Sequence, residues 1–153
     1  MTYYEGLSIL KSFEIRPGHD WDRHCIGVAD IAYRLALEIR KYMDIDAEQT
    51  RVMGLVHDFG RSITQDPYKH AYEGHKLMRK LGLDEYARIC TCHSNGTYKP
   101  EDLGEYGLKP EDFYVRTLPE KLVFIGDGME YKGGIIRNDV RILRTMERYK
   151  DIN

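Results

Sequence analysis

The sequence predicts an all-α protein, a bundle of about six or seven helices. Apolar residues recur at three- and four-residue steps along most of the chain, which is the spacing that places them on one face of a helix. No run of alternating apolar and polar residues indicates a strand. At 153 residues the chain is long enough for one domain with its own hydrophobic core, so we expect a single domain over residues 1–153.

Two helices are predicted in the first third of the chain. Residues 2–13 form a short amphipathic helix that the Pro-Gly pair at 17–18 closes, and we expect it to cover the helices that follow. A long helix then begins at Asp20 or Asp22, either of which can cap it, and continues to about Met43. Its wide buried stripe comprises Ile26, Val28, Ile31, Ala32, Leu35, Ala36 and Ile39.

The third helix leads into the stretch Gly54-Leu55-Val56-His57-Asp58-Phe59-Gly60-Arg61. Its apolar residues fall on one stripe, and Gly60 supplies the usual helix stop. Because His57 and Asp58 are consecutive, their side chains leave the helix axis about 100° apart and can approach one ion only from its two flanks. An adjacent imidazole and carboxylate at the end of a buried helix make a good metal chelate.

Two further helices follow a loop over residues 62–69, which contains an Asp-Pro pair and has no periodicity. The first of them covers residues 70–81, with Leu77, Met78 and Leu81 facing inward. Asp84 caps the next helix, which continues to about His93. His93 is therefore expected in a final helical turn.

The last third begins with an irregular segment, residues 98–114, in which we expect only short helical turns at 101–106 and 110–113. A strong helix start follows, with Thr117 as the cap, a proline in the first turn and Glu120 reaching back. This helix runs from residue 118 to about Tyr131 and turns Leu122, Val123, Ile125 and Gly126 to the core, level with Asp127. A last helix is predicted over residues 138–150.

Composition excludes several classes of protein. The hydrophobic content of 42% and the absence of a long apolar run argue against a membrane span, and the amino terminus lacks a secretory signal, so we expect a cytoplasmic protein. A net charge of −2 gives no general attraction to polymeric nucleic acid or to anionic lipid. Three cysteines without a CxxC pair argue against a disulfide framework and a zinc knuckle.

Six candidate metal ligands lie at helix ends or at inward-facing positions. They are His24, His57, Asp58, His70, His93 and Asp127. In this order they resemble the HD superfamily of metal-dependent phosphohydrolases, with a core motif region over residues 20–131. Three segments are similar to those of superfamily members that bind two metals, and the small archaeal proteins of that kind are the nearest likeness: His70-Ala71-Tyr72-Glu73-Gly74, Cys92-His93 before Gly96, and Ile125-Gly126-Asp127-Gly128-Met129-Glu130.

The resemblance implies a divalent transition metal site that holds two ions, with Fe, Mn, Co, Ni or Zn as the candidates. By position, the first ion would be held by His24, His57, Asp58 and Asp127. The second would be held by His70 and His93, with Asp58 bridging. The implied activity is hydrolysis of a phosphate ester or anhydride in a small nucleotide-like substrate by a metal-activated water, with Asp58 and Arg61 as the catalytic residues.

The resemblance also narrows the class within the superfamily. Arg61 stands where single-metal nucleotidases carry a glutamate, and it resembles the Lys or Arg that other members use to bind phosphate; Lys69 is a second candidate for that role. No Gly-Tyr-Pro signature of the cyclic-dinucleotide phosphodiesterases is present. Two alternatives remain open: a di-iron oxygenase of the HD fold, and a non-catalytic regulatory module that binds a nucleotide. A homodimer is possible.

Other residues near these ligands are weighed separately. His19 is a rival of His24, although a loop position is expected for it. His75 is expected to have a structural or supporting role. Glu130 could orient a ligand, close the pocket or lie on a solvated face. Cys25 and Cys92 are expected to pack in the core.

Overall fold

The computed structural model describes residues 1–14, 19–132, 134–137 and 140. Seven α-helices lie within these ranges, as the sequence predicts: α1 (Tyr3–Ser12), α2 (Trp21–Ile39), α3 (Ala47–Val56), α4 (Lys69–Lys80), α5 (Asp84–Cys92), α6 (Leu103–Tyr106) and α7 (Leu118–Met129). Short 3-10 turns occur at Phe59–Ser62, Pro100–Asp102 and Pro110–Phe113. The all-α prediction is confirmed.

Helix α2 is the centre of the bundle and packs against both α3 and α7. Its buried positions include Cys25, Val28 and Ala32, which recur at three- and four-residue steps. Helix α1 covers α3, and α4 pairs with α5. The main core joins residues from these helices around Leu55, Phe59 and other fully buried side chains. This arrangement brings the ends of five helices to one side of the bundle.

Several predicted boundaries and orientations are wrong by a few residues. Helix α2 ends at Ile39 rather than near Met43, and the exposed Tyr42 and Met43 do not extend its buried face. Leu81 is 45% exposed rather than inward, since α4 ends one residue before it and the chain turns away. Asp84 is the first helical residue and makes no capping hydrogen bond.

Ile125 is the one residue of the predicted α7 core face that the structure exposes. Leu122, Val123 and Gly126 are buried as predicted. With 100° per residue, Ile125 lies about 100° from the centre of the face that these three residues define, so it points toward solvent. The remaining part of the predicted face is correct.

Gly60 is required by packing and not as a helix stop. It lies within the 3-10 turn that follows α3, and its φ is not in the left-handed region. A Cβ at this position would overlap the carbonyl oxygen of His70 and would lie 2.6 Å from the backbone nitrogen of Gly74. The glycine therefore lets the turn after Asp58 lie directly against the first turns of α4, which carries His70.

The irregular segment 98–114 has its own small core, in which Tyr72 of α4 is the anchor. The Tyr72 ring stacks on Tyr106 with 4.9 Å between centroids and meets Phe113 edge to face. Its hydroxyl accepts a hydrogen bond of 2.8 Å from the backbone nitrogen of Lys99. The predicted short turns are confirmed within this segment.

A two-residue hairpin follows α7. Strand β1 (Glu130–Tyr131) pairs antiparallel with β2 (Gly134–Ile135), with Glu130 opposite Ile135. The sequence gives no strand signal here because two-residue strands are too short to show alternation. The predicted last helix over 138–150 and the Pro-Gly pair at 17–18 lie outside the described residues, except for position 140. Across the described ranges no helix has the length and apolar content of a membrane span.

The start of α7 has the predicted capping box. The Thr117 side chain accepts a hydrogen bond from the Glu120 backbone nitrogen, and Oε2 of Glu120 accepts from the backbone nitrogens of Thr117 and Arg116 at 3.0 and 2.7 Å. The Nε of Arg88 donates to Oε1 at 2.8 Å. Burial raises the pKa of Glu120, but these donors outweigh it and hold the pKa below its ordinary value. Glu120 thus ties α5 to α7.

We expect acid to remove the contribution of Glu120 to stability. Because its folded pKa lies below the unfolded value of about 4.5, the stabilisation is present above that pH and is lost as the pH falls through the folded pKa. Glu120→Gln should lower the free energy of unfolding by about 1–3 kcal/mol at pH 7 and should flatten its fall below pH 4.5. Urea unfolding from pH 3 to 7 measures this, with the exposed Glu85→Gln as control. Identical pH slopes in Glu120→Gln and the unmodified chain would contradict it.

Candidate metal centre

The six predicted metal ligands come from the ends of five helices on one side of the bundle. They are His24 in the first turn of α2, His57 and Asp58 directly after α3, His70 in the first turn of α4, His93 directly after α5, and Asp127 in the last turn of α7. His57, Asp58, His70 and His93 are buried, whereas His24 and Asp127 are partly exposed. The bundle thus collects residues that are far apart in sequence.

Two groups of ligand atoms share Asp58. His24, His57 and Asp58 each offer one atom, and these atoms lie within 4.8 Å of one another; Asp58, His70 and His93 do the same. Nε2 of His70 and of His93 lie 3.2 and 3.4 Å from Oδ1 of Asp58. The two nitrogens lie 3.4 Å from each other. Imidazole and carboxylate donors at these spacings fit divalent transition metals.

Three of the histidines are oriented by backbone carbonyls. Nδ1 of His57 lies 2.7 Å from the Gly54 oxygen, and Nδ1 of His70 and His93 lie 3.0 Å from the carbonyl oxygens four residues before them. A proton on Nδ1 is donated to the carbonyl, which leaves Nε2 with its lone pair. Proteins commonly fix a histidine ligand by holding the ring nitrogen that does not bind the metal, which is Nδ1 in these three residues.

Two buried polar atoms at this place have no hydrogen-bond partner among the described residues. They are Nε2 of His57 and Oδ1 of Asp58. A buried unsatisfied polar atom costs about 1–3 kcal/mol, so each needs a reason to be there. Since both residues belong to the groups of potential metal ligands, a bound cation would satisfy these atoms. The donor set and the unsatisfied atoms therefore fit a metal.

Burial and neighbouring charges set the protonation states of His57 and Asp58. Burial lowers the pKa of His57 to about 4, which keeps its imidazole neutral at pH 7. Burial alone would raise the pKa of Asp58, but the neighbouring histidines and Arg61 hold it well below the usual range. Neutral imidazole beside an ionised carboxylate is the form in which both residues bind metal.

His24 differs from the other three because carboxylates contact both of its nitrogens. Nε2 lies 3.0 Å from Oδ1 of Asp127, and Nδ1 lies 2.5 Å from Oε2 of Glu130. Burial opposes the charged form of His24, yet the hydrogen bonds with Asp127 and Glu130 raise its pKa to about 9. The pKa of Asp127 is about 2, since the contribution of His24 and the other histidines exceeds the opposing effect of burial. Among the interpretations of Glu130, its burial and its contact with His24 exclude a solvated face and favour a role in orienting His24.

An open cavity of about 460 Å³ lies over the centre. It is lined by His19, Asp20, Trp21, His24, Asp58, Arg61, Gln65, His93 and Asp127. The Nε of Arg61 donates to Oδ2 of Asp58 at 2.5 Å, and Arg61 is partly exposed at the cavity. Lys69, the second candidate for phosphate binding, is exposed at the start of α4 and does not line this cavity.

Residues that the sequence did not single out also line the cavity. Trp21 and Gln65 are examples, and Trp21 lies three positions before His24 on the same face of α2. The three-residue spacing between Trp21 and His24 is the sequence signal that could have identified Trp21. His19 is exposed at the cavity rim, and His75 lies away from it with Nδ1 3.2 Å from the Ala87 oxygen. Cys25 and Cys92 are fully buried, as expected.

Comparison with known proteins identifies the family. The HD domain model matches residues 21–132. The chain belongs to the HD domain family. It is 37% identical over 131 residues to an uncharacterised protein of Methanocaldococcus jannaschii, a match that covers 84% of this chain and 75% of the relative. It is also 26% identical over 148 residues to a tRNA (cytidine(56)-2'-O)-methyltransferase of Picrophilus torridus, covering 96% of this chain but 40% of that protein.

No solved structure gives a significant match to the HD protein. Family membership assigns it to a superfamily of metal-dependent hydrolases. The two groups of potential metal ligands in the fold agree with that assignment.

Proposed function

We propose that this HD protein is a phosphohydrolase that uses two divalent metal ions to cleave a phosphate ester or anhydride of a small nucleotide-like substrate. The observation that carries the proposal is the pair of ligand groups that share Asp58, together with the unsatisfied buried atoms of His57 and Asp58. Bound divalent ions would acidify a water and neutralise charge that develops on the phosphate.

The residues have distinct roles in this proposal. His24, His57, Asp58 and Asp127 hold one ion, and Asp58, His70 and His93 hold the other. Candidate metals are Fe, Mn, Co, Ni and Zn, since mixed nitrogen and oxygen ligands accept all of them. Asp58 would supply ligand atoms to both ions, because it belongs to both groups.

Arg61 supplies the positive charge for the phosphate in this proposal. Its Nε is paired with Asp58, which fixes the direction of the guanidinium. Within the described part of the chain, its other nitrogens form no hydrogen bond, so they can bind phosphate oxygens. Lys69 would act at longer range, from the exposed start of α4.

A second cavity supports a substrate that is larger than inorganic phosphate. It has a volume of about 190 Å³ and shares Trp21, Arg61 and Gln65 with the cavity over the centre. Glu14, Ser62, Thr64 and the exposed Ile63 also line it. A substrate with its phosphate beside Arg61 would thus have room to extend past the cavity over the centre, along apolar, hydroxyl and carboxylate groups.

A phosphate-release screen tests the proposal. Protein purified without chelators should release phosphate or a nucleotide from at least one class among mononucleotides, dinucleoside polyphosphates and phosphate esters when Mn or Co is supplied. The partial match to a tRNA methyltransferase favours adding RNA fragments with terminal phosphates to the panel. Oxygen uptake by an iron-loaded protein, with no hydrolysis of any class, would support an oxygenase instead. Tight nucleotide binding without turnover would support a regulatory module.

Replacing Arg61 separates its two contacts. Arg61→Ala should lower kcat/KM by roughly 10²-fold or more, because a charge-assisted contact to the phosphate is lost. Arg61→Lys keeps the charge and should recover only part of this, since lysine cannot pair with Asp58 and hold phosphate at the same time. Metal content should stay near that of the unmodified chain in both variants. Steady-state kinetics and metal analysis measure the two effects, and unchanged kcat/KM in Arg61→Ala would refute the assignment.

A further inference from the structure

Glu130 is a buried carboxylate with a partner more than one hundred positions earlier in the chain. It starts strand β1, directly after α7, and is 4% exposed. Its Oε2 lies 2.5 Å from Nδ1 of His24. In contrast, Nδ1 of His57, His70 and His93 each face a backbone carbonyl oxygen. His24 is therefore the one of these four histidines whose outer nitrogen faces a charged group.

Gly27 makes this contact sterically possible. It lies one turn after His24 in the interior of α2, where glycine costs about 1 kcal/mol of helix stability relative to alanine. A Cβ on Gly27 would lie 2.7 Å from Cγ of Glu130 and 3.4 Å from Oε1. Cγ is in the middle of the glutamate side chain, so the carboxylate could not keep its place. The unfavourable glycine is explained by the space that Glu130 occupies.

One short segment contacts both nitrogens of His24. Asp127, in the last turn of α7, contacts Nε2, and Glu130 contacts Nδ1. A carboxylate that contacts Nδ1 fixes the ring and makes Nε2 a stronger donor to a metal. A backbone carbonyl does this less strongly because it carries no net charge. The two ligand groups around Asp58 are thus built unequally.

We propose that Glu130, in the space left by Gly27, is a positioning residue that orients His24 and raises the affinity of the metal group to which His24 belongs. The group around His70 and His93 does not receive this support. The proposal rests on the metal centre proposed above, but it does not depend on which reaction that centre performs. It predicts that substitutions in the hairpin weaken the binding of one ion more than the binding of the other.

Titration of the metal-free protein with Mn²⁺, followed by calorimetry, tests this inference. Glu130→Gln keeps the size of the side chain and removes its charge, and it should weaken one of the two binding steps by roughly 10- to 100-fold. The affinity of the other binding step should change by less than about threefold, because the support that Glu130 gives is local. The exposed Glu101→Gln is the matched control and should bind as the unmodified chain does. Equal affinities in Glu130→Gln and the unmodified chain would overturn the proposal.

A second pair of variants isolates the role of Gly27. Gly27→Ala displaces the Glu130 carboxylate without removing it, so it should weaken the same binding step as Glu130→Ala. In a Glu130→Ala background the added methyl group has nothing to displace, and Gly27→Ala should have no further effect on that step. Equal losses from Gly27→Ala in both backgrounds would overturn the proposal, because they would show an effect of α2 alone. Gly104→Ala, with open space around its Cβ, is the control.

The outcome also separates this inference from the proposed function. If the unmodified chain bound no Mn²⁺, the metal centre itself would be wrong. If it bound two ions and Glu130→Gln bound them equally well, only the inference about Glu130 would fail. Near-ultraviolet circular dichroism of each variant shows whether the fold is kept.

Discussion

Asp58→Asn is expected to remove both ions of the proposed centre and most of the proposed hydrolysis. The carboxylate is the one side chain that belongs to both ligand groups, and its Oδ1 faces His70 and His93 at 3.2 and 3.4 Å. Asparagine has the same shape but offers one neutral oxygen, and it also releases Arg61 from its ion pair. Metal ions contribute several kcal/mol to the stabilisation of charge in such reactions, so kcat/KM should fall by roughly 10³-fold or more.

Metal analysis and steady-state kinetics on the same preparation measure this result. The exposed Asp84→Asn, which breaks only a surface ion pair with Arg79, is the control and should keep full metal content and activity. Because the carboxylate is replaced by its isostere, the fold should be kept, as far-ultraviolet circular dichroism can verify. Two ions in Asp58→Asn would show that the shared carboxylate does not bridge them.

Among glycine-to-alanine substitutions in the described part of the chain, Gly60→Ala is expected to be the most destabilising. The added Cβ would overlap the carbonyl oxygen of His70 and would lie 2.6 Å from the Gly74 nitrogen. Both obstacles are backbone atoms of α4, so no side-chain rotation can relieve them. Overpacking of this kind costs roughly 3 kcal/mol or more. Relief requires α4 to move, and His70 would move with it.

Chemical denaturation gives the free energy of unfolding of Gly60→Ala and of a matched control. Gly104→Ala is that control, because its Cβ would have no neighbour within 4 Å. Its effect should stay within about 0.5 kcal/mol or be slightly stabilising. A loss of less than about 1 kcal/mol in Gly60→Ala would show that the turn after Asp58 does not depend on close contact with α4, since even moderate overpacking costs that much.

Much of the fold could be predicted because each helix has a local signal. The period of apolar residues located the helices, and the Thr117 and Glu120 pair located the start of α7 to the residue. Helix ends were less accurate. The end of α2 and the direction of Leu81 depend on what surface lies nearby, which the local sequence does not contain.

Packing also explains why the function of two glycines was not visible in the sequence. Gly60 looked like a helix stop, but its neighbours come from α4, about ten residues later. Gly27 lies in the interior of α2, and its neighbour Glu130 is more than one hundred positions later in the chain. In both cases the reason for glycine is a contact between distant segments. A single sequence carries no local signal of such contacts.

The sequence suggested six members for the candidate centre, and the structure brings five of them into two groups of potential ligand atoms, whereas Asp127 contacts His24. The types and helix-end positions of the six residues suggested them as ligands, and the resemblance suggested how they would be divided. In the structure Asp58 belongs to both groups of ligand atoms, which is the shared position that the resemblance implied for it. His24 differs from the other histidines because it contacts Glu130 of the hairpin. The periodicity of apolar residues does not predict this buried contact. The cavity lining by Trp21 and Gln65 likewise follows from the fold.

Metal content by mass spectrometry, on protein purified without chelators, tests the central claim most directly. The unmodified chain should carry close to two ions, and His70→Ala should carry close to one, because His70 belongs only to the group with Asp58 and His93. His75→Ala, a histidine away from the centre, should carry two and serves as control. One ion in the unmodified chain, unchanged by His70→Ala, would contradict the account and would leave only His24, His57, Asp58 and Asp127 as ligands.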